Sequence, residues 1–328
     1  DPASGSVLAR AMFTLAELEA ASAVVRRAMP PTPQYAWPLL AAAAGCEVWV
    51  KHENHSPIGA FKVRGGLVLI DELQRAAAPP RGLVSATRGN HGQSLAFAAQ
   101  RAGMRATIFV PHGNSVEKNA AMRAFGAELV EHGEDFDAAR VAAEAFAQAN
   151  ERAWVASFHP ALVRGVATYA LELFSAVAGL DTVYAPIGMG SGICGLIRVR
   201  DLLGLATEIV GVVSAHAPAV ALSFAARRVV TTERAATLAD GMACRVPDRT
   251  ALATILDGAS RIVQVTDAEV GAAIRLMHEA THNTAEGAGA AALAALLQER
   301  GRQRGRRVGI VLSGGNIDRA VLAPILAA

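Results

Sequence analysis

The sequence predicts an α/β fold in which parallel sheets are covered by helices on both faces. Two observations carry this. Short β-branched runs alternate with Ala-rich helical stretches along most of the 328 residues, which is the spacing of strand–helix–strand crossovers. Hydrophobic residues make up 52% of the chain and charged residues 18%, a balance that buries a sizeable core and excludes a disordered chain. Aromatics are only 5%, so Ala, Val, Leu and Ile must fill that core. The length is roughly twice that of a usual single domain, so one large domain or two intimately packed ones are expected.

The first helix is expected from Thr14, where Thr14-Leu15-Ala16-Glu17 has the form of a capping box. It runs to about Met29, where Pro30, Pro31 and Pro33 stop it. Strands are expected at Glu47–Lys51, Leu83–Ala86, Ala106–Val110, Glu128–Glu131, Trp154–Ser157, Thr182–Pro186, Ile209–Ser214, Ile262–Val265 and Val308–Leu312. Helices lie between many of them, among them Gln93–Arg101, Val116–Phe125 and Asp137–Gln148. No repeat of 20 to 50 residues and no low-complexity linker divides the chain. Any second domain must therefore be an insertion, with the chain leaving one sheet and returning to it.

Charge and cysteine usage exclude several classes. The net charge is +2, and the densest basic cluster, Arg300–Arg307, reads as a solvated turn before the last strand, so no nucleic-acid footprint is expected. Cys46, Cys194 and Cys244 are widely spaced with no CxxC, which suits a reducing cytoplasm better than a disulfide framework or a zinc ribbon. No run of about 18 apolar residues and no export signal is visible, so no membrane partner is expected. The chain begins at Asp1 rather than Met, consistent with further residues ahead of it.

In open α/β sheets ligands sit beyond the carboxyl ends of strands, and four turns there stand out. The loop after Glu47–Lys51 is punctuated by glycine and carries one lysine, Lys62, behind Pro57-Ile58-Gly59-Ala60-Phe61. A desolvated amine in such a place has a lowered pKa and is primed for Schiff-base chemistry; its ordinary alternative is a snorkelling surface lysine. After Leu83–Ala86 comes Thr87-Arg88-Gly89-Asn90-His91-Gly92, small and polar and leading into a helix. After Thr182–Pro186 comes Gly188-Met189-Gly190-Ser191-Gly192-Ile193-Cys194-Gly195. This loop matches the dinucleotide fingerprint formally, yet the next strand ends Val213-Ser214-Ala215-His216 with no carboxylate for a ribose. A phosphate cradle needs only the glycines and a helix N-terminus, and is favoured over a dinucleotide site or a plain turn. The fourth turn is Ser313-Gly314-Gly315-Asn316. A Schiff-base lysine with a phosphate cradle is the pair that pyridoxal phosphate requires.

One rival motif belongs to another class. His278-Glu279-Ala280-Thr281-His282 is a literal HExxH, the helix signature of zinc hydrolases. Ala285 and Ala288 stand where a third ligand is expected. Two histidines on one helix face are the favoured reading, and no metal is assigned.

These segments together resemble one family. Lys51–Gly65, Arg88–Gln93, Gly188–Gly192, Glu286–Gly289 and Leu312–Asn316 occur in the order of the threonine/serine dehydratases, fold-type II pyridoxal-phosphate enzymes similar to tryptophan synthase β. The resemblance spans nearly the whole chain. It implies two open parallel-sheet domains, a large one (residues 1–54 and 158–328) and a smaller inserted one (55–157), with the cofactor in the cleft. It implies that Lys62 carries the cofactor, that Phe61 lies beside its ring and that Asn90 meets its 3′-oxygen. Gly188, Met189, Gly190, Ser191 and Gly192 would hold the phosphate, Ser313 the pyridine nitrogen, and Glu286 the ring edge. Thr87, Arg88, Asn90 and His91 would form the substrate-carboxylate loop.

The resemblance implies a dehydratase that converts a β-hydroxy-α-amino acid such as L-threonine or L-serine to a 2-oxo acid and ammonia, working as a cytoplasmic homodimer. Departures refine that expectation. Serine racemases of the group place a serine where this chain has Arg88, and a guanidinium is a poor proton shuttle, so elimination is favoured over racemisation. Cysteine synthases carry Thr where this chain has His91, which argues against β-replacement. Arg88 could accept a second substrate carboxylate, as in hydroxyaspartate; phenylserine is a further alternative. Met189 interrupts the glycine run, and Ala60 replaces a commoner Ser. The chain ends at Ala328, one helix past the last motif, so no appended regulatory domain is expected. Asp240 in Ala239-Asp240-Gly241 reads as a structural turn rather than a Mg²⁺ ligand.

Overall fold

The computed structural model describes residues 12–328. The chain runs α1 (Leu15–Arg26), β1 (Gln34–Ala36), α2 (Pro38–Ala44), β2 (Glu47–His52), a 3-10 turn (Glu53–His55), α3 (Val63–Arg75), β3 (Gly82–Ala86), α4 (Asn90–Arg101), β4 (Arg105–Val110), α5 (Val116–Ala124), β5 (Glu128–Glu131), α6 (Phe136–Ala149) and β6 (Ala153–Trp154). It continues through α7 (Pro160–Ala176), β7 (Thr182–Pro186), α8 (Ser191–Leu202), β8 (Glu208–Ser214), α9 (Ala219–Ala226), α10 (Arg249–Gly258), β9 (Arg261–Val265), α11 (Asp267–Thr281), α12 (Gly287–Gln298), α13 (Arg300–Gln303), β10 (Arg307–Leu312) and α14 (Arg319–Ala327). The strands form a six-stranded sheet, β1-β2-β10-β7-β8-β9, and a four-stranded sheet, β5-β4-β3-β6.

Both sheets are parallel except at one edge, where β1 pairs antiparallel with β2. β1 is not expected from sequence: its three residues follow a proline cluster and show no alternation. The expected strand at Trp154–Ser157 is corrected to Ala153–Trp154; the last ladder bond is Val155 N–H to Val84 O, 2.9 Å, and the chain then turns so that Ser157 faces a cavity. The capping box forms as read, with Thr14 Oγ1 accepting from Glu17 N–H and Glu17 accepting from Thr14 N–H. The helix it starts ends at Arg26, three residues before Met29.

Four apolar clusters cover the two faces of the two sheets. Helix α12 is buried throughout Gly287–Leu296, because its Gly and Ala side chains let it press against β7 and β10. Helix α1 straddles the lobes: Leu18 packs with the large sheet's core, while Ala21 and Val25 join the core of the small one. Helix α7 does the same through Val163 and Leu162. No helix among the described residues is long and apolar enough to cross a membrane.

In the large sheet β2, β10 and β7 are neighbours and run parallel, so the loops after them open side by side. Two of these loops are stitched together. Phe61 N–H donates to Ser313 O at 2.9 Å, Gly315 N–H to Gly59 O at 2.9 Å, and Ala60 bridges Gly314. Lys62 is thereby held against the end of β10.

Candidate active site

All of the singled-out residues, Phe61, Lys62, Thr87, Arg88, Asn90, His91, the five from Gly188 to Gly192, Glu286 and Ser313, line one cavity between the two sheets. Lys62 sits at the start of α3. Its Nζ donates to Ser191 Oγ at 2.9 Å and lies 5.1 Å from the Phe61 ring centroid. Burial lowers its amine from the ordinary 10.5 to about 8; the side chain keeps partial exposure only through the open cavity.

Ser191 opens helix α8, and the glycines before it make a cradle that no side chain could share. Gly190 is left-handed at φ 103, and a Cβ there would meet Ala251 Cβ at 2.8 Å. A Cβ at Gly188 would lie 2.2 Å from Gly241 O. The first N–H groups of α8 have no acceptor within the helix and face the cavity together with its dipole. Tyr169 Oη donates to Gly192 O at 3.0 Å and fixes the first turn. Met189, the interruption in the glycine run, places its sulfur 3.9 Å from Cys244 Sγ.

The loop after β3 is the first turn of α4, which begins at Asn90, not at Gln93. Thr87 Oγ1 accepts from Gly89 N–H and Gly92 N–H at 2.9 and 3.2 Å. The hydroxyl thus shapes the turn and retains only its O–H for a substrate. His91 is buried, its Nε2 3.1 Å from Ser85 Oγ; burial, assisted by the Lys62 charge, pushes it to about 3, so it is neutral. Arg88 is exposed at the cavity wall. The Ser313 hydroxyl, 3% exposed, has no hydrogen-bond partner among the described residues.

Opposite the cradle, Asn90 Nδ2 donates to Glu286 Oε1 at 2.6 Å. Lys118 Nζ lies 3.1 Å from Glu286 Oε2 and 2.6 Å from Asp240 Oδ2. Burial opposes the Lys118 charge, but Glu286 and Asp240 outweigh it and hold the ammonium above its ordinary range. Asp240 stands in a 3-10 turn, Asp240–Met242. Sequence reasoning missed Lys118, Phe136, Ser157, Met242 and Cys244 as cavity residues. Lys118 left one signal: with Met122 it occupies one face of α5 at a spacing of four, and both are buried.

The HExxH histidines, His278 and His282, stay neighbours with ring centroids 6.0 Å apart. Helix α11 stops at Thr281, and His282 turns off it in the left-handed region at φ 53. No group of three His, Cys, Asp or Glu able to hold a metal exists among the described residues.

A buried amine beside an anion cradle, at the carboxyl ends of parallel strands, defines a cofactor-dependent α/β enzyme. Residues 25–314 match the family described as pyridoxal-phosphate dependent enzyme. The L-threonine ammonia-lyase of Geobacter sulfurreducens is 34% identical over 286 residues, 86% of this chain and 70% of that one. The L-threo-3-hydroxyaspartate ammonia-lyase of a Pseudomonas species is 30% identical, covering 90% of this chain and 92% of its own. A solved threonine deaminase, from the organism abbreviated T.th., is 28% identical with a TM-score of 0.86, covering 93% of this chain and 99% of that one. The chain belongs to the pyridoxal-phosphate dependent enzymes, on the fold-type II branch of the threonine/serine dehydratases. Its residues fit that cofactor: a cradle that a Cβ would fill, a lysine amine at about 8, and an unpartnered serine hydroxyl within one cavity.

Proposed function

We propose that this pyridoxal-phosphate-dependent ammonia-lyase converts a β-hydroxy-α-amino acid, L-threonine or L-serine, to a 2-oxo acid and ammonia. The observation that carries the reading is the Lys62 amine, 2.9 Å from Ser191 at the mouth of the glycine cradle. Pyridoxal phosphate, when bound, supplies an acceptor for the electron pair left at the substrate's α-carbon. Backbone N–H groups from Gly188 to Gly192 would hold its phosphate, Phe61 would flank its ring, and Asn90 and Glu286 would meet the ring edge. The Ser313 hydroxyl would face the ring nitrogen and, being neutral, does not force it to be protonated. Asn90 and His91, in the first turn of α4, would take the substrate carboxylate on the N–H groups that the helix leaves free, with the Thr87 O–H beside them.

Lys62 Nζ is then the base for the α-proton, its pKa close to working pH. His91 is neutral and can orient the carboxylate without competing for that proton. Arg88 cannot return a proton on the opposite face, so loss of the β-hydroxyl outruns racemisation. A homodimer in the reducing cytoplasm completes the reading, and three free, buried cysteines suit that compartment. The test is release of 2-oxo acid and ammonia by the cofactor-loaded protein across L- and D-β-hydroxy amino acids. Equimolar 2-oxobutyrate or pyruvate with ammonia is expected; a serine enantiomer without oxo acid would replace this reading with racemisation.

One observation favours a second substrate. Arg88 is exposed at the cavity wall and makes no hydrogen bond or ion pair among the described residues, whereas Lys118 is paired twice. A substrate with a carboxylate on its β-carbon, such as threo-3-hydroxyaspartate, would give Arg88 a partner, and charge-assisted pairs are the strong ones. Preference for hydroxyaspartate over threonine of about tenfold or more is expected, from a charged hydrogen bond, and Arg88→Ala should abolish it. Equal kcat/KM for the two substrates in the wild type removes this second reading and leaves the first intact.

A further inference from the structure

We propose that Lys118 is a positioning residue of this site, which by pairing with Glu286 and Asp240 fixes the orientation of the Asn90 amide that faces the cavity. The inference rests on Asn90 and Glu286 belonging to the cofactor site and adds a residue that neither motif contains.

Donors and acceptors in this cluster can be matched one by one. Asn316 Nδ2 has two hydrogens and uses both, one on Ile58 O at 2.8 Å and one on Asn90 Oδ1 at 2.9 Å. Asn90 Oδ1 must therefore accept, and Asn90 Nδ2 must be the end that reaches Glu286 Oε1, at 2.6 Å. Glu286 can only satisfy that donor as an acceptor, which an ionised carboxylate always is. A proton on Oε2 would leave Oε1 accepting but would remove the charge that strengthens the Asn90 bond, and Oε2, which has no hydrogen-bond partner among the described residues, is the oxygen that Lys118 Nζ faces as an ion pair at 3.1 Å. An ammonium there has no acceptor capacity, so it favours the ionised form of the carboxyl.

The surroundings hold this relay in place. Glu286 is the N-cap residue of α12, yet its side chain caps nothing in the helix and is directed to Asn90 and Lys118. It is 2% exposed, and its position is fixed by glycines behind it. A Cβ at Gly289 would lie 2.2 Å from Gly314 O, and one at Gly287 2.6 Å from Ala239 Cα. The Lys118 stem is equally confined, since a Cβ at Gly89 would lie 2.4 Å from its Cδ. The charged groups facing Glu286 are Lys118 from α5 and Asp240 from the 3-10 turn. Burial holds the Glu286 carboxyl above its ordinary range with help from Asp240, and Lys118 is the chief group that opposes them. Lys118 comes from the small sheet's lobe, and Glu286 and Asp240 from the large one, so the amide that meets the ring edge is set only when the two lobes are together.

The experiment reads the bound cofactor rather than turnover. Pyridoxal phosphate affinity and the pH titration of its absorbance are measured in the wild type, Lys118→Met, Lys118→Arg, Asp240→Asn, Glu286→Gln and the Lys118→Met/Glu286→Gln pair. Lys118→Met is expected to weaken cofactor binding about tenfold or more, from the loss of the buried charge that faces Glu286, and to move a titration of the absorbance to higher pH. Lys118→Arg keeps the charge and should restore the wild-type titration. Asp240→Asn should move it the other way, because one competing carboxylate is gone. In the Glu286→Gln background Lys118→Met should change nothing further. A merely structural Lys118 would shift Lys118→Met and Asp240→Asn in the same direction, and that result overturns the proposal. So does a Lys118→Met effect that persists undiminished in the Glu286→Gln background. A wild-type chain that takes up no pyridoxal phosphate overturns the cofactor assignment and this proposal together.

Discussion

Replacing Lys62 with alanine is expected to reduce 2-oxo acid release by about 10⁴-fold, the upper end of what one positioned base contributes. The loss is large because the side chain would have two tasks, anchoring the cofactor and taking the α-proton. No other amine can substitute, since Lys118 is committed to Glu286 and Asp240 and Arg88 does not deprotonate. Residual turnover within tenfold of the wild type would remove Lys62 from the chemistry. The same amine sets a pH signature in the protein without cofactor. Its folded pKa, about 8, is below its ordinary 10.5, so between these values the unfolded chain holds a proton that the folded chain has released. Stability without cofactor should therefore rise with pH through that window, and Lys62→Met should remove this increment. Covalent capture of the cofactor needs the neutral amine, so its rate should climb to a plateau near pH 8 to 9 rather than beyond 10.

Arg64→Met is expected to cost about 3 to 5 kcal/mol in urea unfolding, the penalty for breaking a buried ion pair and leaving its partner unmatched. Arg64 is fully buried, two residues beyond Lys62. Its Nε and Nη2 take both oxygens of Glu53 at 2.7 and 2.9 Å, and Nη1 and Nη2 take those of Glu172 at 2.9 and 2.8 Å. Lys51 pairs with Glu172 at 2.7 Å, so Glu172 keeps a cation when Arg64 is lost, whereas Glu53 keeps a hydrogen bond from Thr32 at 2.6 Å and the charge of Lys51 without a hydrogen bond to it. The network ties the end of β2 to α3 and α7, and so fixes the turn from which Lys62 projects. Arg64→Lys should recover only part of the loss, because an ammonium cannot fork onto two carboxylates. A change under 1 kcal/mol for Arg64→Met would show that the network adds nothing to the fold.

What could be read in advance followed from local chemistry. The strand at Glu128–Glu131 and that at Thr182–Pro186 form at the expected residues, because β-branched runs ending at turn residues need little tertiary help. The Thr14 capping box closes within one turn of helix for the same reason. β1 was illegible, since a three-residue edge strand exists only because β2 offers it a partner. Helix α4 could not be placed at Asn90 from pattern, because its first turn is polar and packs by Thr87 accepting its N–H groups.

The site divides along the same line. Lys62 and the Gly188–Gly192 loop stood out through chemistry that needs particular residue types at strand ends, with glycine the only residue that has room at Gly188 and Gly190, whereas Asn90, Glu286 and Ser313 were marked through the family resemblance. The sequence by itself determined the residues available for chemistry: one lysine behind an apolar loop, a glycine cradle, and polar turns at the ends of strands. Only the tertiary structure decided which of them meet and in what charge state. HExxH gathers no third ligand among the described residues, and Lys118 became part of the cavity because the lobe that carries it faces two carboxylates of the other. The physical reason is range: turn and helix preferences act over a few neighbouring residues, whereas ion pairs and desolvation depend on groups brought within a few ångströms from positions far apart in the chain.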